Sequence, residues 1–225
     1  MTLPGVLLAA LVLNLAQGYP VPDNDVVFGE SLVFESPDGG HFTTHQQRAD
    51  DVVLPSGAIV ASDAIVIVDA QPFERTVAPG RYQVLLTVTV DDQRDKRVAF
   101  ARVEIRPGTP VRWEAATLPG QDPATAAYGV DSGLAAFMDA EAASRANEYY
   151  DAYGNVLLQH LSDVVNRDEY WTNVLVDAST GADVVVFTSG FGDGAYASYW
   201  GYDANDEVVC LVTDFAVLQD TTRVQ

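Results

Sequence analysis

An alternation of apolar and polar side chains with a period of two, sustained over ten residues, requires an extended chain with one face buried. From Arg81 to Val90 (RYQVLLTVTV), Tyr82, Val84, Leu86, Val88 and Val90 fall on one side, and Gln83, Thr87 and Thr89 on the other. The polar cluster Asp91 to Lys96 interrupts the pattern. Arg97 to Ile105 then resumes it, with Ala99, Ala101, Val103 and Ile105 against Val98, Phe100, Arg102 and Glu104. Two such runs around a polar loop predict an antiparallel hairpin.

Similar runs extend the strand pattern in both directions. Upstream, Val52 to Leu54, Ala58 to Ala61 and Ala64 to Val68 read as strands, with Pro55-Ser56-Gly57 as a turn. Val111, Trp113 and Ala115 make a short strand after Pro107, Gly108 and Pro110. Downstream come Trp171 to Val176, Asp183 to Thr188, Ala195 to Tyr202 and Val208 to Phe215, the last two joined by the polar turn Asp203 to Glu207. Helical signal is confined to the middle. Asp139 precedes AEAASRANEYYDAY as an N-cap, predicting a helix that ends near Gly154. A second helix is predicted from Asn155, where Val156, Leu157, His160, Leu161, Val164 and Val165 share a face. The expected fold is α+β, a mostly antiparallel sheet with a two-helix insertion around residues 139–167, in one domain over residues 19–225.

The apolar segment at residues 1–18 is read separately. Its run is too short to cross a bilayer comfortably and suits the core of a signal peptide, with Ala16 and Gly18 before a cut at Tyr19. The alternative is an apolar helix packed on the domain, since no Lys or Arg precedes the run and Asn14 interrupts it. Pro20 and Pro22 stop any helix there, which tips the reading toward cleavage and secretion over a cytoplasmic location.

Composition narrows the partners. The 12 basic residues (one Lys, eleven Arg) face 32 acidic ones (23 Asp, nine Glu), a formal net charge of −20. Such a surface repels nucleic-acid phosphates and anionic membranes, whose binding depends on Lys and Arg. Hydrophobic content of 48% is ordinary for a folded chain, so the charge does not signal disorder. One cysteine, Cys210, excludes an internal disulfide and Cys-rich zinc sites.

Several motifs fail on inspection. Ser189-Gly-Phe-Gly-Asp-Gly194 is glycine-rich, but no Lys is near and a strand follows where a phosphate loop needs a helix. It reads as a tight loop with Asp193 at its tip, and as a candidate binding loop. Asp203, Asn205, Glu207 and Asp214 partly match an EF-hand, yet Val208 holds the sixth position, where Gly is required. Gly129-Val-Asp-Ser-Gly133 has the outline of a serine-protease signature, with His41 or His45 and Asp91 or Asp92 in the right chain order. Val130 intervenes where Gly should precede the Asp, so the oxyanion donors would be misplaced. His160 and Cys210 share apolar faces and read as packed residues.

Four carboxylates, Asp131, Asp139, Asp193 and Asp214, stand where strands meet loops or a helix. Asp214 closes the apolar run VVCLVTDF in phase with Cys210, a costly place for a charge unless it is satisfied. Tyr196, Trp200 and Tyr202 share one face of their strand, as an aromatic ligand platform or a core layer.

LPSGAIVASD (Leu54 to Asp63), APGRYQV (Ala78 to Val84), RVAFARV (Arg97 to Val103), RWE (Arg112 to Glu114), YGVDSG (Tyr128 to Gly133), FMDAEAA (Phe137 to Ala143) and SGFGDGAYASYWGYD followed by LVTDF resemble the DUF4241 family. The resemblance runs from about Val27 to Leu218 and leaves residues 1–18 outside it. Phe191 stands where family members usually carry Trp, and Ser62 where Cys is frequent, so an aromatic and a small residue suffice there. The resemblance implies a shared fold and no catalytic residues. The function expected is a non-enzymatic binding or interaction domain for a protein or small-molecule ligand, without cofactor or metal, acting near the Gly190–Gly194 loop. Its candidate ligand-binding residues are Asp131, Asp193, Asp214, Tyr196 and Trp200. The alternative is a hydrolase or divalent-metal site built from Asp131, Asp193 and Asp214.

Overall fold

The computed structural model describes residues 19–167 and 170–224, so the apolar segment 1–18 and its cleavage lie outside the described residues. The alternating runs form the expected hairpins. β4 (Gly80–Asp91) pairs with β5 (Lys96–Glu104), and β11 (Gly194–Tyr202) with β12 (Val208–Asp214), both antiparallel. β12 also pairs with β5, and β4 with β2 (His41–Leu54). Around this centre a nine-stranded sheet runs in the order β13 (Thr222–Arg223), β1 (Val33–Glu35), β2, β4, β5, β12, β11, β6 (Arg112–Ala115), with β7 (Tyr128–Val130) joined to β11 off this path. A second, four-stranded sheet has the order β3 (Ile59–Asp63), β8 (Leu134–Asp139), β10 (Ala182–Thr188), β9 (Trp171–Asp177). The fold is thus strand-rich α+β with antiparallel sheets.

Alternation assigns each face a partner. On β8 and β10, Phe137, Val185 and Phe187 enter the core against the large sheet, where Leu86, Val103, Leu211 and Phe215 are buried. Phe187 packs edge-on against both Phe137 and Phe215, ring centroids 5.1 and 6.0 Å apart. Met138, Val184 and Val186 point to the other side and meet the helices α2 (Ala140–Glu148) and α3 (Tyr150–Arg167). Ala142, Ala146 and Leu157 are the helical side of this second core. The chain breaks between the helices at Tyr149, five residues before the expected end, and runs helically through Gly154. An isolated glycine in a helix costs only about 1 kcal/mol, less than the tertiary packing of α3 recovers. The side chains of Val164 and Val165 lie outside the described residues.

Two further expectations change. Ala64 to Val68 is a loop, because Asp63 turns the chain by accepting the Ile65 and Val66 amides. Arg102, in phase with the polar side of β5, is only 6% exposed. A strap containing the short helix α1 (Asn24–Val27) covers it. The Val27 carbonyl accepts from Arg102 Nη1, Gln46 Nε2 and Thr87 Oγ1, and the Phe28 ring lies 4.0 Å from the guanidinium.

The chain passes between the sheets in four places, β2 to β3, β3 to β4, β7 to β8 and β10 to β11. At the first, Ser56 and Gly57 turn tightly. Gly57 has φ +76°, and a Cβ there would lie 2.1 Å from the Val77 carbonyl oxygen, so no side chain fits. The fully buried Asp139 accepts from the Ser56 amide at 3.0 Å and its hydroxyl at 2.8 Å, and from Glu141 N at 2.8 Å. One carboxylate caps α2 and fastens the turn. Asp139→Ala strands both sets of donors and is expected to cost about 2–4 kcal/mol, and Ser56→Ala about 1 kcal/mol. Urea unfolding of the two single variants and the double variant checks this, the double costing less than the sum because the pair is one interaction.

Candidate functional site

The Gly190–Gly194 loop joins β10 to β11 at the fourth crossing. Gly190 has φ +49°, and a Cβ there would meet the Phe215 carbonyl oxygen at 2.7 Å, so glycine is required. Tyr196 Oη donates to the carbonyl of Gly192 at 2.7 Å, and Ser189 Oγ to the same oxygen at 3.0 Å. These bonds fix a loop that carries Phe191 outward, 62% exposed. On one side of its ring sits the Arg97 guanidinium, 4.8 Å from the centroid, itself paired with Asp95.

Phe191 forms one wall of a cleft of about 450 Å³. Phe42 and Val217 add apolar wall; Asp38, Asp91, Asp92 and Asp220 bring carboxylates to it from three other segments. Asp92 accepts from the His41 backbone amide, and with the nearby imidazole this holds its pKa below the usual carboxylate range. Among the described residues, no Lys or Arg lines the cleft. It is an apolar slot with an acidic rim and an aromatic ring presented on a braced loop. The sequence pointed to the loop, but nothing in it joined acids from three segments as far apart as those of Asp38, of Asp91 and Asp92, and of Asp220.

The candidate residues divide. Val130 and Gly194 form the last registered pair of the β7–β11 ladder, so Asp131 and Asp193 follow at adjoining positions, both exposed. Asp214 stands opposite Ala197 further along β11 and accepts from the Ala216 amide at 2.8 Å. Tyr196 (6% exposed) packs on Phe215, and Trp200 (2%) on Phe73, so both are core residues as placed. Desolvation, with Asp193 nearby, pushes the Tyr196 phenol up to about 12. Desolvation also pushes the Cys210 thiol up to about 12, which leaves it protonated and inert. His160 Nδ1 meets the Asn173 carbonyl at 2.8 Å. Among the described residues, no three His, Cys, Asp or Glu side chains are grouped to hold a metal ion.

The carboxylate that organises this end of the molecule is Asp63, 3% exposed. It accepts from the amides of Ile65, Val66, Asp131 and Ser132 at 2.6 to 2.8 Å, and from Ser132 Oγ at 2.9 Å. Burial alone would raise its pKa, but the four backbone donors outweigh it and hold the group below its ordinary value. Asp63 and Ser132 both belong to the motifs that carried the family resemblance. A family model for proteins of unknown function, DUF4241, matches residues 52–213. The chain belongs to the DUF4241 family. No curated protein and no solved structure matches it. In this DUF4241 chain the motif residues Ser56 and Asp139, and Asp63 and Ser132, bond to one another and to backbone at the sheet crossings.

Asp214 is the opposite case. Desolvation raises its pKa from 3.8 to about 6, against a single opposing amide, and Tyr199 beside it is raised as well. A carboxyl whose folded pKa exceeds its unfolded one binds its proton more tightly in the fold. Stability is therefore greatest below the unfolded pKa, falls as pH rises toward about 6, and stays lower beyond. Asp214→Asn keeps the acceptor for Ala216 and is expected to stabilise the protein at pH 7 by about 1–3 kcal/mol while abolishing this decline. Urea unfolding of both proteins at pH 4, 5, 6 and 7 measures it; equal pH profiles would contradict the assignment.

Proposed function

We propose that this DUF4241 protein is a non-enzymatic binding domain that acts through the cleft beside the Gly190–Gly194 loop. The observation that carries the reading is Phe191: a large aromatic side chain held out in solvent by a loop whose own hydrogen bonds are satisfied. Exposing such a ring forgoes burial worth about 1.5–3 kcal/mol, and a ligand covering it would recover that. The donors around Asp63 and Asp139 support the same reading, since they tie the motif residues Ser56, Asp63, Ser132 and Asp139 to structure.

The rival reading is a hydrolase or divalent-metal site built from Asp131, Asp193 and Asp214. In its favour stand the adjoining positions of Asp131 and Asp193. Against it, the Asp214 carboxylate is engaged with Ala216, and a desolvated carboxyl with a pKa near 6 is a poor start for a cation ligand without a third acid beside it.

Two measurements separate them. Titration of the isotope-labelled protein with peptide pools that are basic, acidic, apolar or aromatic should shift amides of residues 36–42, 91–93, 190–193 and 216–221 for at least one pool. Shifts centred elsewhere, or none from any pool, would contradict the binding reading. Thermal unfolding with millimolar Ca²⁺, Mg²⁺, Mn²⁺ or EDTA should give one melting temperature throughout; a cation-dependent rise would support the rival through mass action. Asp193→Ala is expected to leave that temperature nearly unchanged.

A further inference from the structure

We infer that the cleft takes a basic, arginine-bearing segment of a protein partner, an assignment that rests on the binding reading above and names its ligand. The apolar walls supply the groove, and its charge selects the occupant. Of its lining groups among the described residues, Asp38, Asp91, Asp92 and Asp220 are acidic and only His41 is basic. Asp92 is engaged by His41, and Asp91 accepts the Gln93 and Asp95 amides of its own turn. Asp220 receives no hydrogen bond from any described residue, so its carboxylate is free to meet a cation.

The molecule already displays the recognition it would use. Arg97 lies against the Phe191 ring with its charge answered by Asp95, an aromatic face and a carboxylate sharing one guanidinium. The exposed Phe191 ring also lines the cleft, and Asp220 lines it too, so the cleft holds both an aromatic ring and a carboxylate. A planar guanidinium stacks on a ring and hydrogen-bonds in its own plane to a carboxylate, which an ammonium cannot do, so arginine is favoured over lysine. Its methylene stem would lie along Phe42 and Val217. A chain of net charge −20 would also steer a basic segment toward itself.

The probe is a fluorescein-labelled hexapeptide of alternating arginine and alanine, with lysine, glutamate and norleucine counterparts, read by anisotropy against the full chain. The arginine peptide should bind at least about tenfold more tightly than the glutamate one and lose affinity as salt rises from about 50 to about 500 mM. Phe191→Ala and Asp220→Asn should each weaken it severalfold at unchanged melting temperature, whereas Glu148→Gln on α2 should not. Equal loss from all three substitutions would mean a general attraction to an acidic surface and overturn the inference. Tighter binding of the glutamate or norleucine peptide at the cleft would overturn it while leaving the binding reading intact. Failure of every peptide would overturn this inference, while the binding reading stands or falls by the peptide-pool titration.

Discussion

A buried carboxylate surrounded by backbone amides carries the architecture of this protein. Two sheets pack face to face, but the chain reaches one from the other through turns whose amides point away from any ladder. Unpaired amides in a buried corner cost about 1–3 kcal/mol each, so each crossing needs an acceptor. Asp63 serves two crossings, β3 to β4 through Ile65 and Val66, and β7 to β8 through Asp131 and Ser132. Asp139 serves β2 to β3, and Asp183 joins β10 to the Val53 amide of β2 and to Asn173. At the last crossing, hydroxyls of Ser189 and Tyr196 do the work on the Gly192 carbonyl.

Asp63 and Asp183, both buried, and the half-buried Asp214 differ in how many donors they meet, and the direction of their pKa follows that count. Asp63, with five, keeps its charge more easily than a free carboxylate despite burial. Asp183 meets two and Asp214 one, and in both desolvation prevails and the pKa rises. The acids of the cleft rim are of a third kind, mostly exposed: Asp38 and Asp91 are bound within their own turns and Asp92 to His41. An overall charge of −20 thus contains fasteners, two carboxyls whose donors do not offset desolvation, and a rim that a cationic partner would answer.

Much of the architecture was legible because it is local. The β4–β5 and β11–β12 hairpins follow from period-two patterning and polar turns, and the cap of α2 from Asp139 before a run of helix formers. What was not legible depended on distant covering. Arg102 looks solvent-facing on β5 until the strap at Asn24–Val27 is laid over it, and Ala64 to Val68 looks like a strand until Asp63 claims its amides. β8 is short and directly precedes a helix, so its alternation is too brief to register. The cleft was hidden more completely, since it forms where the β4–β5 turn, the start of β2, the glycine loop and the segment after β12 converge. The glycine loop and Asp214 were singled out by their neighbours in sequence, whereas Asp63 was invisible as a site because Asp131 and Ser132, which complete its set of donors, lie 68 and 69 residues away.

The motif acids Asp63 and Asp139 fasten the sheet crossings of this DUF4241 chain, and amide hydrogen exchange on Asp63→Ala tests that most directly. Removal of the carboxylate should cost about 2–4 kcal/mol of unfolding free energy and abolish protection at the amides of residues 65, 66, 131 and 132, with the β2–β4–β5 ladder still protected. A variant as stable as the parent, with those four amides exchanging as slowly as before, would contradict it.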